Sequence, residues 1–182
     1  MVRVMMLASP IGELTLAARG DRVCLLHFGA DAAATRRTLQ RWYPGEAIED
    51  DPDPVFDLLS RPLTAGAARI DAVTRLQAYF AGDVNALDSI EVELNGTAFQ
   101  KQVWAALRGV RAGTTAAYTE IARAISAPSA IRAVGAANGA NPVAVIVPCH
   151  RVIGANGSLT GYGGGLDRKR WLLEHEGLRL RF

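Results

Sequence analysis

The sequence predicts an α+β protein in two parts, a sheet-and-helix half followed by a mainly helical half, and three observations predict it. Strand-like alternation of apolar and polar residues is concentrated in the first thirty positions. Helical spacing with cap residues dominates after residue 95. The charge changes sign at the same place: residues 1–94 carry nine Arg against 14 Asp and Glu, a net of −5, whereas residues 95–182 carry 11 Lys and Arg against four acids, a net of +7. A basic module of that kind suits a polyanionic partner. The 182 residues, 49% hydrophobic and 21% charged, fit one ordinary domain or two small ones and exclude a disordered or fibrous chain. No apolar run approaches the roughly 20 residues that a membrane span needs, and the opening MVRVMMLASPIGELTLAARG alternates instead of forming a secretory leader. A cytoplasmic protein is expected.

In the first half, VRVMMLAS, GELTLAAR and RVCLLHFG read as three strands of an antiparallel meander, with Ser-Pro-Ile-Gly and Arg-Gly-Asp supplying the turns. A helix is expected from Asp31 to about Tyr43, ended by Pro44 and Gly45. The acidic, proline-bearing EDDPDPVF reads as a surface loop. In ARIDAVTRLQAYFAG, Ile70, Val73, Leu76, Tyr79 and Phe80 recur at helical spacing, and Gly82 is the stop. SIEVELNG reads as a strand or extended linker, and Asn95-Gly96 as the boundary between an N-terminal domain, residues 1–95, and a C-terminal domain, residues 96–182.

The second half opens with Thr97 and Gln100 at capping-box spacing before the helix FQKQVWAALRGV, which Gly113 interrupts. TEIARAI, the turn SAPS and SAIRAVGAANG follow, a short helix, a tight turn and a second helix with a basic residue early in it. That is the pattern of a helix-turn-helix. Asn141-Pro142 then leads into an apolar run read as a strand ending at Pro148-Cys149, a segment GANGSLTGYGGG, and a closing helix DRKRWLLEHEG. A helix-turn-helix followed by a strand and a glycine-rich loop is winged-helix-like.

Within AVIVPCHRVIG a cysteine stands against a histidine and an arginine where a buried strand would take another aliphatic residue. A cysteine attacks as thiolate, which a thiol of pKa about 8.5 supplies only sparingly without a base or a positive charge. His150 is adjacent, yet neighbouring side chains on a strand point to opposite faces, so a half-buried Cys149 at a strand end is the competing reading. A histidine base needs a third group to orient it, and Glu176 in EHEG is the candidate, against an ordinary solvated glutamate at a helix end. His175 reads as a partner of the helix C-terminus. Arg132, between Ile131 and Ala133, is either a ligand contact or a surface arginine; Tyr118 and Asn141 are a core-edge aromatic and a turn residue unless the site recruits them. Cys24, among Val23, Leu25 and Leu26, reads as a small core residue. The two cysteines do not suggest a disulfide, and no cluster has metal-ligand spacing, so neither a metal nor another cofactor is expected.

RAVGAANGANPVAVIVPCHRVIGANGSLTGYGGGLDRKRWLLEHEG, residues 132–177, resembles the O6-alkylguanine-DNA alkyltransferases nearly throughout, with Pro-Cys-His-Arg-Val as the specific core. The likeness runs more loosely upstream to Thr97 and, in strand-rich character, into the first half. It implies a ribonuclease H-like N-terminal domain and a winged-helix-like DNA-binding domain. It further implies DNA repair by irreversible, single-turnover transfer of an alkyl group from O6-alkylguanine to Cys149, and leaves O4-alkylthymine open as a second substrate. His150, through a water, takes the thiol proton in this reading, and Glu176 holds the histidine. Asn141 is the hinge that ties the recognition helix to the active-site segment. Tyr118 meets the guanine edge and displaces the target phosphate. Arg132 fills the gap left by a flipped nucleotide, with Ala133 and Gly135 beside it against DNA. Cys149, Val152, Tyr162, Gly163 and Asn138 form the alkylguanine pocket. The implied partner is double-stranded DNA, approached by a monomer through the minor groove.

Two departures from the family pattern stand out. The first half offers only Cys24 and His27 where some relatives bind zinc, and Asn138 and Gly163 stand where relatives carry other side chains. A winged-helix regulator with an incidental Cys149 and a cysteine hydrolase are the competing functions. The Cys-His pair speaks against the first, and the basic surface and lack of a recognisable oxyanion arrangement speak against the second.

Overall fold

The computed structural model describes residues 1–51, 56–59 and 71–179, and its chain divides into two units, Met1–Asn95 and Gly96–Phe182. In the first, β1 (Val2–Ser9), β2 (Gly12–Arg19) and β3 (Arg22–Phe28) form the expected antiparallel meander. Gly12 turns the first corner at φ 96°, a conformation that costs glycine little. The helix α1 (Ala32–Trp42) starts where Asp31 accepts a hydrogen bond from the Ala34 N–H at 2.9 Å. Its Leu39, with Tyr43 just beyond it, packs on Val2, Val4, Ala17, Cys24 and Leu25 of the sheet. Cys24 donates to the Ala17 carbonyl at 3.4 Å, and His27 bonds Thr35 at 2.9 Å and the Phe28 carbonyl at 3.0 Å, so both are internal ties of this unit.

The acidic stretch differs from the simple loop expected. β4 (Ile48–Asp50) and β5 (Phe56–Asp57) pair in parallel with the free edge of β1, while residues 52–55 lie outside the described residues. Edge pairing recruits backbone groups only, so side chains as polar as Glu49 and Asp50 leave no strand signature. SIEVELNG is extended beside β3, with the Val23 N–H donating to the Glu91 carbonyl at 3.0 Å and the Glu93 N–H to the Val23 carbonyl at 2.9 Å. The helix α2 (Asp71–Phe80) buries Val73, Leu76, Tyr79 and Phe80 and stops before Gly82 at φ 114°; the expected earlier start at Ile70 lies outside the described residues.

In the second unit the Thr97 hydroxyl and Gln100 side chain cap α3 (Ala98–Arg108) reciprocally. Its buried Trp104 donates to the Ala137 carbonyl at 2.8 Å and so fastens α3 to α5 (Ile131–Gly139). The pair α4 (Tyr118–Ala124) and α5 is the predicted helix-turn-helix, with Ser126 at φ 58° in the turn. β6 (Ala116–Ala117) and β7 (Val152–Ile153) form a short parallel pair, and α6 (Leu166–His175) closes the unit.

The apolar run before Cys149 is not a strand. Residues 143–147 coil through turns, the Val147 N–H donating to the Val143 carbonyl at 2.9 Å, with Val145 at φ 70°. A continuously apolar segment has no periodicity to distinguish strand from buried coil. A left-handed conformation is unfavourable for a β-branched residue, and Asn141 helps to hold it. The Asn141 side chain accepts from the Val143 N–H at 3.0 Å and donates to the Val147 carbonyl at 2.8 Å, giving the coil the backbone partners that a strand ladder would otherwise supply.

Candidate active site

The coil delivers Cys149 into a single 3-10 turn, Cys149–Arg151, closed by the Arg151 N–H on the Pro148 carbonyl at 3.0 Å. Three residues per turn set successive side chains about 120° apart. That geometry replaces the opposite-face arrangement of a strand and lets three adjacent buried side chains meet different partners. Cys149 Sγ lies 3.0 Å from Asn141 Nδ2, whose N–H donates to it, and Asn138 Nδ2 donates to the Cys149 carbonyl at 3.5 Å. His150 turns to α6, where its Nε2 is 2.8 Å from Glu176 Oε1. Arg151 reaches the same carboxylate with Nε on Oε2 and Nη2 on Oε1, both at 2.9 Å, and gives Nη1 to the Val110 carbonyl at 2.6 Å.

Protonation states follow from these contacts. Burial works against an ionised Glu176, but hydrogen bonds from His150 and Arg151 outweigh it and draw the carboxyl down to about 2. A carboxylate only accepts, so His150 Nε2 carries the proton in this pair. Burial pushes the His150 pKa down, against the pull of Glu176, and the imidazole is neutral. Its lone pair therefore sits on Nδ1, a buried atom without a hydrogen-bond partner among the described residues. Burial also pushes the Cys149 thiol up, opposed by Asn141, by the charge of Lys169 and by the Tyr162 hydroxyl. The resting sulfur is a thiol beside a neutral base.

The remaining predicted residues fall into two groups. Val152 is buried directly after the turn, Asn138 is buried under it, and Tyr162 reaches the sulfur, while Gly163 is exposed in the loop before α6. Tyr118, first residue of α4, is half-buried; Thr160 donates to its hydroxyl at 3.2 Å, and a Cβ on Gly135 would sit 3.9 Å from its ring. Arg132 and Ala133 are exposed at the start of α5 and do not enter the cluster around the thiol. His175 stacks on Trp171 with ring centroids 4.7 Å apart.

Sequence reasoning noted Arg151 beside the thiol without giving it a role, and passed over Lys169. Lys169 is fully buried, its ammonium donating to the Val152 carbonyl at 2.6 Å and the Thr160 carbonyl at 3.0 Å, and burial lowers its pKa to about 8. It binds the end of the Cys149–Arg151 turn to the loop that carries Tyr162. Its signal was present in the spacing Lys169, Leu172, Leu173, Glu176, which is one helical face carrying two charges among leucines.

Residues 2–94 match the profile of the 6-O-methylguanine DNA methyltransferase ribonuclease-like domain, and residues 98–178 that of the DNA binding domain of the same proteins. The methylated-DNA–protein-cysteine methyltransferase of Mycobacterium bovis is 47% identical over 176 residues, which span 97% of this chain and 93% of the relative. The crystal structure of the Mycobacterium tuberculosis O6-methylguanine methyltransferase matches with a TM-score of 0.73 at 45% identity, covering 97% of this chain and 93% of that one. A crystal structure of the Mycobacterium tuberculosis OGT in complex with DNA matches with a TM-score of 0.71 at 44% identity, covering 96% and 91%. Two profiles in order along one chain, and relatives aligned over nearly all of it, place the protein in the 6-O-methylguanine DNA methyltransferase family.

Proposed function

We infer that the protein repairs DNA by direct reversal, moving the alkyl group of O6-alkylguanine irreversibly onto Cys149. The observation that carries this reading is the pairing of a buried thiol, hydrogen-bonded by Asn141, with a histidine whose only available lone pair is Nδ1 because Glu176 holds Nε2–H. In the reaction the thiol proton passes through a water to Nδ1, and a sulfur lone pair forms the S–C bond. The C–O6 bond breaks, and its electron pair stays with guanine. Guanine gains one proton in exchange, so the thiol hydrogen and the alkyl group trade places. The thioether is stable, which makes the protein single-turnover, and the displacement balances without any cofactor.

Several finer features belong to the same proposal. An alkyl group within a duplex is out of reach of a buried thiol, so the nucleotide flips into a pocket formed by Val152, Tyr162, Gly163 and Asn138, at a cost of a few kcal/mol. Exposed Arg132, with Ala133 and Gly135 beside it, enters the minor groove as a monomer binds and fills the vacated stack, while Tyr118 meets the guanine edge and its phosphate. A reducing cytoplasm keeps Cys149 as a thiol.

The test is intact mass spectrometry after mixing with duplex DNA bearing O6-methylguanine. One methyl in place of one hydrogen per chain, mapped to Cys149 and absent in Cys149→Ala, is the expected result. Catalytic turnover without adduct, or DNA binding without a mass change, overturns it.

A further inference from the structure

Arg151 stands beside the nucleophile and base yet has no part in the reaction as derived so far. Arg151 is 3% exposed, and all three of its guanidinium nitrogens are used, two in a fork on both Glu176 oxygens and one on the Val110 carbonyl just beyond α3. Glu176 Oε1 is shared between this fork and His150 Nε2. A carboxylate held only by an imidazole would be free to rotate about its last bond, and its unbalanced charge would favour the imidazolium. The fork removes both freedoms, since two parallel N–H···O bonds fix the plane of the carboxylate and the cation neutralises it.

We propose that Arg151 is a positioning residue for alkyl transfer: it fixes Glu176 against His150 Nε2 and cancels the carboxylate charge that would otherwise draw a second proton onto the imidazole, leaving Nδ1 open to the Cys149 proton. The charged groups acting on His150 are consistent with this. Burial is the largest influence and pushes its pKa down, Glu176 just beyond α6 pulls it up, and Arg151 of its own turn and Lys169 of α6 push it down. From the α3 side the turn receives the Val110 carbonyl. The role also accounts for a cation buried at the end of the turn when a shorter apolar residue would cost less desolvation. The inference rests on the alkyltransferase reading of Cys149.

The test is the pH profile of single-turnover methyl transfer from the free base O6-methylguanine, so that DNA binding does not enter. The wild-type rate should rise through an acid limb set by His150. Arg151→Gln removes the charge and should move that limb up by about one pH unit, so the rate on the limb falls roughly tenfold more than on the alkaline plateau. Arg151→Lys retains charge without the fork and should leave the limb in place while lowering the rate by one factor at every pH. A uniform loss in Arg151→Gln, with no movement of the limb, overturns the proposal. Should Arg151→Gln fail to fold, nitrogen NMR of His150 in the wild-type chain decides: the neutral Nε2–H form at pH 7 supports the role, and an imidazolium overturns it. A wild-type chain that never gains a methyl sinks the alkyltransferase reading instead, and the NMR measurement still stands by itself.

Discussion

Glu176→Gln is the perturbation whose consequences the structure defines most closely. The wild-type carboxylate accepts from His150 Nε2 at 2.8 Å and twice from Arg151 at 2.9 Å. A carboxamide has one acceptor oxygen. Placed at the Oε1 position it retains the bonds from His150 and from Arg151 Nη2, but its NH2 then faces Arg151 Nε–H, donor against donor. The guanidinium is left buried without a counter-charge, a change that costs about 3–5 kcal/mol. The titration of Glu176 gives a separate figure: its carboxyl moves from 4.5 to about 2, and at about 1.4 kcal/mol per unit the ionised form contributes about 3 kcal/mol to the fold. Because the folded value is the depressed one, this stability is present above pH 4.5 and is lost as pH falls toward the folded value near 2. Urea unfolding measures it, with Trp42→Phe as background so that Trp104 and Trp171 report on residues 96–182. The Gln variant should be about 3 kcal/mol less stable at neutral pH, with the gap closing below pH 4.5 as the wild-type carboxyl protonates. Equal stability at neutral pH, or a gap of constant size down to the acid end, would refute the buried-pair account.

Three further outcomes are expected. Asn141→Ala strands the Val143 N–H of a fully buried residue, leaves the Val147 carbonyl with the Cys149 N–H alone, and takes the donor from Cys149 Sγ. It should destabilise the fold by about 1–3 kcal/mol, read as a lowered Tm, and should slow alkylation of Cys149 by iodoacetamide at neutral pH. Lys169 is depressed from 10.5 to about 8, so the unfolded chain binds more protons than the folded one between these values and its share of stability rises with pH across that window, by about 3 kcal/mol. Lys169→Met should abolish this alkaline rise, as alkaline urea titrations of both proteins would reveal. Arg132→Ala removes an exposed side chain and should leave stability within about 0.5 kcal/mol, while methyl transfer from duplex DNA falls at least roughly tenfold further than transfer from the free base; equal losses on both substrates would exclude a role in DNA.

Local signals carried those parts of the fold that are themselves local. Asp31 and the Thr97–Gln100 box are short-range hydrogen-bonding devices whose partners lie three residues away, and the turn around Ser126 is closed by equally local bonds such as Ala127 N–H to the Ala122 carbonyl, so the sequence shows them directly. β4 was hidden because it joins β1 through backbone pairing across 46 residues, as at Val2 and Ile48. The site divides in the same way. Pro-Cys-His-Arg announced a reactive cysteine and Glu176 was the candidate to orient His150, but 26 residues away its local context read equally as a solvated helix end, and only the fold shows the contact. Arg151 was noted without a role and Lys169 was passed over because charge in a sequence normally means surface, and only an apolar face or an oppositely charged partner across the core says otherwise.

Those two buried cations give the site an electrostatic logic that the motif alone does not contain. With Cys149 as thiol and His150 neutral, Glu176 is balanced by Arg151, and Lys169 is the unmatched charge. In the proposed reaction, moving one proton from sulfur to His150 creates a thiolate and an imidazolium, a separation that low dielectric strongly opposes. The fold has placed an opposite charge for each product, Lys169 acting on the sulfur and Glu176 on the imidazole. Neither residue suffices by itself: Glu176 alone would leave the thiolate without a counter-charge, and Lys169 alone would leave the departing proton without a stabilised acceptor. Arg151 adds to burial in tempering the pull of Glu176 on His150 in the resting state without removing the carboxylate. The pre-placed charges thus lower the cost of the ionised pair, while burial keeps the thiol as the resting form.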